Sequence, residues 1–202
     1  MTAADIEAAV AAAGLTAIPP GAGDQLAAYL ALLLKWNSKL NLTAIREPAE
    51  IVRRHLVECI QCAQALPEVW TLLDFGSGAG LPGVPIAIVR PEIRVTLGES
   101  QGKKSAFLRE VVRTLGLNAE VLDQRVEMMP AERVFDAVTL RAVDKMAQAT
   151  REAVQRVRAG GCFVVFATAG TEDRVKSPLF GWEGRIAITG LSEGVLLLGR
   201  KL

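Results

Sequence analysis

Apolar positions along the first third of the chain recur at helical spacing. Ile6, Val10 and Ala13 fall on one face of a short helix closed by Gly14. Pro19-Pro20-Gly21 breaks the chain. From Asp24 to about Asn37, the residues Leu26, Leu30, Leu33 and Trp36 mark a second helix. Pro48 occupies the first-turn position of a third, which runs to Leu66 and stops at Pro67. One face of that helix carries Ile51, His55, Cys59, Cys62 and Leu66.

The pattern changes after Pro67. Short apolar runs, read as buried strands, alternate with amphipathic helices. Strands are predicted at Trp70 to Phe75, Arg94 to Gly98, Ala119 to Leu122, Phe135 to Leu140 and Cys162 to Ala167. Helices are predicted at Pro82 to Val89, Lys103 to Leu115 (capped by Gly116), and Asp144 to Val157 (ended by Gly160-Gly161). Arg185 to Thr189 and Gly194 to Gly199 form a closing hairpin. Such alternation implies an α/β fold, a mostly parallel Rossmann-like sheet with helices on both faces. The expected division is a helical N-terminal extension, residues 1–67, and an α/β domain, residues 68–202.

Composition narrows the class. Half of the 202 residues are hydrophobic, and 23 Lys+Arg nearly balance 22 Asp+Glu. That excludes a disordered chain and a polybasic one, so nucleic-acid contact would need a local patch. The longest apolar run, Leu26 to Leu34, is too short to span a bilayer. The N-terminus carries Asp5 and Glu7 and lacks the basic region of a secretory signal. Three cysteines are too few for a disulfide framework. A cytoplasmic protein with no membrane contact is expected, and a monomer.

The segment Asp74-Phe75-Gly76-Ser77-Gly78-Ala79-Gly80 carries the most chemistry. Glycines at alternate positions after a strand let backbone approach a ligand closely. A second acid, Glu99, ends the next strand. It stands where a carboxylate accepts bonds from a ribose diol, outside the carboxyl ends of the strands. Gly78 to Gly83 formally fits the dinucleotide pattern G-x-G-x-x-G, with Pro82 inside the fingerprint. The register D-x-G-x-G-x-G with a downstream acid instead matches the nucleoside-binding loop of S-adenosyl-L-methionine (SAM)-dependent methyltransferases.

Over roughly residues 25 to 165 the chain resembles the bacterial 16S ribosomal RNA guanine-N7 methyltransferase family, also called glucose-inhibited division protein B. The resemblance runs through Lys35-Trp36-Asn37, Asn41-Leu42-Thr43-Ala44-Ile45-Arg46, Arg54-His55-Leu56, Asp74 to Gly83, Gly102-Lys103-Lys104, Phe107-Leu108-Arg109, Arg125-Val126-Glu127, Phe135-Asp136 and Arg141-Ala142. It implies SAM held by Gly76, Gly78 and Leu81, with Glu99 at the ribose and Val126 and Glu127 beside the adenine. It places Arg141, the candidate catalytic residue, near both cofactor and substrate. The implied partner is 16S ribosomal RNA or the small ribosomal subunit. Ala79 replaces the proline usual in the loop, and Glu99 stands where Asp is usual. Phe166-Ala167-Thr168 lacks the family's lysine after the fifth strand, and no arginine accompanies Gly194.

Guanine N7 carries a lone pair on the base edge, so its methylation needs no general base. Positioning is then the main catalytic demand. Lys103 and Lys104 sit in a helix first turn, which disfavours cations, and so suggest an anionic partner such as phosphate. With Arg90, Arg94, Arg109 and Arg113 they make a basic run holding three acids. Arg53, Arg54 and His55 form a second candidate RNA patch, although His55 also lies on a packing face. Cys59 and Cys62 fit C-x-x-C but lie mid-helix, where buried thiols are expected. Trp36 is expected in the core and Trp182 exposed. The other readings are a methyltransferase acting on another base or small molecule, an NAD-dependent oxidoreductase, and a non-catalytic RNA-binding relative.

Overall fold

The structure is a computed structural model that describes residues 1–142, 146–168, 170–190 and 193–202. Its N-terminal part holds α1 (Ala3–Ala12), α2 (Ala22–Leu40), α3 (Pro48–Ile51) and α4 (Val57–Ala65). Thr2 caps α1 through a reciprocal pair of bonds with Asp5. The predicted Pro48-to-Leu66 helix is interrupted. Between α3 and α4, Val52–Leu56 forms a π-helical segment carrying Arg53, Arg54 and His55. Such wide turns re-aim side chains and recur at functional sites.

The α/β part follows the predicted alternation: β1 (Thr71–Phe75), α5 (Gly83–Val89), β2 (Arg94–Gly98), α6 (Gly102–Leu115), β3 (Ala119–Leu122), β4 (Phe135–Leu140), α7 (Met146–Gln155), β5 (Val157–Thr168), β6 (Phe180–Ala187) and β7 (Gly194–Lys201). The sheet order is β3-β2-β1-β4-β5-β7-β6. The first five strands are parallel, and β7 runs antiparallel between β5 and β6.

Three expectations are corrected. Helix α7 ends at Gln155, and Gly160-Gly161 lie inside β5; Asp144 is outside the described residues. Between the pairs Phe135↔Val157 and Ala137↔Cys162, residues 158–161 bulge from the ladder. The glycine is needed there, because a Cβ on Gly161 would sit 2.8 Å from the Asp136 carbonyl oxygen. Strand β6 begins at Phe180 rather than Arg185, since β7 offers pairing partners along its whole length. Trp182 is therefore half-buried, 6.0 Å from Phe180 and 6.3 Å from Phe163, rather than exposed.

Alternate strand residues feed two cores. Leu72, Val164 and Leu196 face one side and Leu73, Val165 and Leu197 the other. The N-terminal helices join the first core: Ile6, Leu26, Tyr29, Leu30 and Ile60 pack in one cluster with Leu72, Val95 and Leu97. Two bonds tie α2 to α6, from Gln25 Nε2 to the Leu115 carbonyl (3.1 Å) and from Trp36 Nε1 to Glu110 Oε2 (3.1 Å). Trp36 also packs against Phe107, in the core as expected.

Candidate active site

The carboxyl ends of β2, β1 and β4 lie side by side at one edge of the sheet. After β1, Gly76, Gly78 and Gly80 take φ values of 73°, 56° and 89°. A side chain at Gly80 would be strained twice over, by that φ and by a Cβ 2.7 Å from Val84 Cγ2. Gly80 and Leu81 close the turn by donating to the Ser77 carbonyl at 2.7 and 3.2 Å. Beneath it Asp74 is buried. One of its oxygens accepts from the Gly83 amide at 3.1 Å and the other from Thr139 Oγ1 at 2.9 Å. Burial pushes its carboxyl up to about 6, against the hydrogen bonds that favour the charged form.

Glu99 follows β2 and is also buried. Its Oε2 accepts from the Gly78 amide at 3.0 Å and its Oε1 from the Gln101 amide at 2.7 Å. The carboxylate thus joins the Gly-rich turn to the start of α6. Each oxygen retains a lone pair for a further donor.

Arg141 follows β4. Its Nη2 donates to Glu58 Oε2 at 2.7 Å and to His55 Nδ1 at 2.9 Å. Its Nη1 lies 3.2 Å from Cys59 Sγ, and the guanidinium stands 5.2 Å from the Phe166 ring centre. The pair is well shielded, with 13% of the Arg141 side chain and 4% of the Glu58 side chain exposed. His55 Nδ1 stands between Arg141 Nη2 and the Arg54 carbonyl oxygen, 3.0 Å away; in the tautomer that accepts from the guanidinium, which can only donate, Nε2–H donates to Thr43 Oγ1 at 3.0 Å. Burial, then the neighbouring Arg141, pushes His55 down to about 4 and keeps the ring neutral at pH 7. Burial raises Glu58, with Arg141 opposing it. Ala142 adopts φ 46°, a left-handed conformation that costs about 1–3 kcal/mol in a residue with a side chain and clusters at functional sites.

The Gly-rich turn, Glu99, His55, Arg141 and Ala142 line a cavity of about 800 Å³, within the size range of small-molecule sites. Of the site residues expected from the sequence, Gly76, Gly78, Leu81, Glu99, Val126, Glu127 and Arg141 all line it, together with His55 and Lys104. Arg54, Lys103 and Arg109 are exposed and not in the lining. Arg54 pairs with Glu50 at 3.5 Å and Arg109 with Asp123. The basic run is less uniform than its sequence: Arg90 pairs with Glu92 and Arg94 with Glu120. The C-x-x-C thiols are buried in the core, and burial pushes Cys59 up to about 12 and Cys62 well above its usual range.

Sequence reasoning missed Glu58 as the partner of Arg141. The available signal was a lone acid in the otherwise apolar run Leu56-Val57-Glu58-Cys59-Ile60. It also missed the support of the lining by Tyr29 and Asn37, which the local pattern does not announce.

The family model described as rRNA small subunit methyltransferase G (GidB) matches residues 23–178. A ribosomal RNA small subunit methyltransferase G from Stenotrophomonas maltophilia is 41% identical over 193 residues, covering 94% of this chain and 88% of that protein. Among solved structures, a SAM-dependent methyltransferase from Aquifex aeolicus superposes with a TM-score of 0.61 at 15% identity, over 80% of this chain and 97% of that one. The N-methyltransferase NodS of Bradyrhizobium japonicum, in complex with S-adenosyl-L-homocysteine, superposes with a TM-score of 0.60 at 13% identity, over 84% and 98%. Those two likenesses establish the Rossmann-like α/β fold. The sequence match, spanning the Gly-rich turn, Glu99 and Arg141 alike, establishes that this chain belongs to the rRNA small subunit methyltransferase G family of enzymes.

Proposed function

We propose that this protein transfers the methyl group of SAM to N7 of a guanine in 16S ribosomal RNA of the small ribosomal subunit. The observation that carries the reading is one cavity lined by both the Gly-rich turn with Glu99 and the Arg141–His55 pair. The donor set fits the cofactor. Glu99 has lone pairs left for two ribose hydroxyls, buried Val126 offers an apolar face for adenine, and Glu127 lies at the same rim. Gly76, Gly78 and Leu81 bring backbone close enough to line the same space. When bound, SAM supplies a methyl carbon made electrophilic by its sulfonium.

The chain's own residues then have to hold the acceptor. Guanine N7 gives up no proton, so no base is required, and the neutral His55 has both ring nitrogens engaged. Methyl transfer leaves a positive charge on the base. Arg141 carries its own charge against Glu58, which limits repulsion of that developing cation. Arg141 is the candidate catalytic residue on these grounds, acting by orientation and not by proton transfer. Lys104 at the cavity lining and the exposed Lys103, with Arg54 and Arg109 beyond the lining, supply cations for RNA phosphates. Membership of a methyltransferase family displaces the NAD reading. We also infer that the protein works in the cytoplasm, where small ribosomal subunits are. Among the described residues no helix is long and apolar enough to cross a membrane.

The test is nucleoside mass spectrometry on small subunits from a strain lacking the gene, before and after incubation with the protein and SAM. New 7-methylguanosine is the expected result. A different methylated nucleoside would replace the target, and no methylation of subunits by SAM-bound protein would overturn the reading.

A further inference from the structure

Helix α2 contributes no residue to the cavity lining, yet it holds two parts of its wall. Tyr29, Leu33 and Asn37 recur at four-residue intervals on its buried face. The Tyr29 hydroxyl donates to the carbonyl of Ala79 at 2.7 Å. Ala79 is the central residue between Gly78 and Gly80. The turn's internal bonds run from Gly80 and Leu81 to Ser77, which leaves the Ala79 carbonyl to Tyr29. Asn37, two helical turns on, grips the next loop. Its Nδ2 donates to the Thr43 carbonyl at 3.0 Å, and its Oδ1 accepts from the Thr43 amide at 2.9 Å. Those bonds aim the chain leaving α2, where Asn41 turns it through a left-handed φ of 49°. Thr43 in turn meets His55, and His55 meets Arg141.

The two grips hold different parts of the wall, the central Gly-rich turn and the loop on the Arg141 side. Strands β2 and β4 flank β1, so Glu99 and Arg141 stand on either side of the Gly-rich turn. The loop Leu42 to Ile45 reaches the Arg141 side through Thr43 and His55, and exposed Arg46 follows it. Eight residues of α-helix separate Tyr29 from Asn37, a span of about 12 Å that a helix holds stiffly. The bonds from Gln25 and Trp36 to α6 stop α2 from sliding.

We propose that α2 is a strut that sets the distance between the cofactor turn and the loop facing the acceptor base. Tyr29 is a positioning residue for the cofactor and Asn37 a positioning residue for the base. This deepens, and rests on, the reading of the site as one for SAM and ribosomal RNA. In-line transfer tolerates little error, because a displacement of about 1 Å at a reacting pair costs roughly 100-fold in rate. A glycine-rich turn and an irregular loop hold no fixed separation unaided, whereas a braced helix does.

The test uses the full chain. Tyr29→Phe keeps the ring and deletes one donor. Asn37→Ala deletes both grips on Thr43, and Asn37→Ser keeps a small polar group should the alanine variant fail to fold. SAM affinity is measured by calorimetry, and KM and kcat with small subunits from the gene-deleted strain, each variant being checked by thermal melting. Tyr29→Phe is expected to raise the SAM Kd about 3–10-fold, the loss of one buried hydrogen bond, with the KM for subunits unchanged. Asn37→Ala or Asn37→Ser is expected to raise that KM or lower kcat roughly tenfold with the SAM Kd unchanged, and the double variant to lose less kcat/KM than the two single effects together, because one rigid helix couples the two grips; full additivity would mean two unconnected anchors and overturn the strut. Parallel shifts of both constants in every variant would mean a general structural role and overturn the strut. So would no shift in either. A wild-type protein that bound no SAM would refute the underlying reading instead, and is recognised before any variant is compared.

Discussion

Replacing Glu99 with alanine probes two roles that the geometry assigns to one carboxylate. The first exists without any ligand: Glu99 accepts the amides of Gly78 and Gln101 at 3.0 and 2.7 Å. Hydrogen bonds to a charged group contribute about 1.5–3 kcal/mol each. The freed amides face the cavity, where water can reach them, so the lower end applies and the pair together contributes about 3 kcal/mol. For a chain of this length that lowers the melting temperature by about 6–12 °C. The second role needs the cofactor. Losing the ribose contacts removes a further 1–3 kcal/mol or so, about 5- to 150-fold in the SAM Kd. Glu99→Gln keeps the volume but turns an NH2 towards one of the two amide donors, so it falls between alanine and wild type in both respects. Calorimetry with SAM and a melting curve without it separate the two. An unchanged Kd for Glu99→Ala, beside a lowered melting temperature, would leave Glu99 as a staple of the turn only. An unchanged melting temperature would refute the staple.

Glu58→Gln leaves the Arg141 guanidinium without its counter-charge in a shielded site, and should cost about 3 kcal/mol in urea unfolding; a loss within the error of that measurement would show Arg141 to be solvated. His55 titrates near 4 in the fold against 6.5 when unfolded, so the unfolded chain takes up the proton first on acidification. Stability from this group is therefore complete above pH 6.5 and lost as the pH falls towards 4. The stability difference between wild type and His55→Gln should shrink across that window, and an equal difference at about pH 7 and about pH 4.5 would contradict the buried neutral ring. Lys103→Ala, outside the cavity lining, should flatten the salt dependence of RNA binding by roughly 0.7–0.9 in log–log slope for the phosphate left without its cation, with SAM affinity unaltered; an unaltered slope would make Lys103 ordinary solvated surface.

Much of the fold was legible locally. The runs Arg94 to Gly98, Ala119 to Leu122 and Phe135 to Leu140 match β2, β3 and β4 residue for residue. Parallel strands covered on both faces are continuous apolar runs, and the glycines and prolines at their ends punctuate them. Errors arose where pairing partners decide. Residues 158–161 read as the end of a helix because glycine is a helix breaker, but β4 recruits them into a bulge of β5. The start of β6 was hidden because the glycines around Trp182 argue against a strand, while pairing with β7 extends it to Phe180.

The amino-acid sequence alone determined the alternation of strands and helices, the Gly-rich turn and the acid that follows the next strand, because each is written in neighbouring residues through periodicity, φ preference or a strand end. The tertiary structure alone decided that Glu58 and His55 would meet Arg141, 83 and 86 positions away, and that Tyr29 would reach Ala79 across 50. Those contacts depend on how α2 and α4 lie against the sheet, which is set by summed burial over many side chains. No local pattern encodes that packing angle, and with it the charge balance of the site.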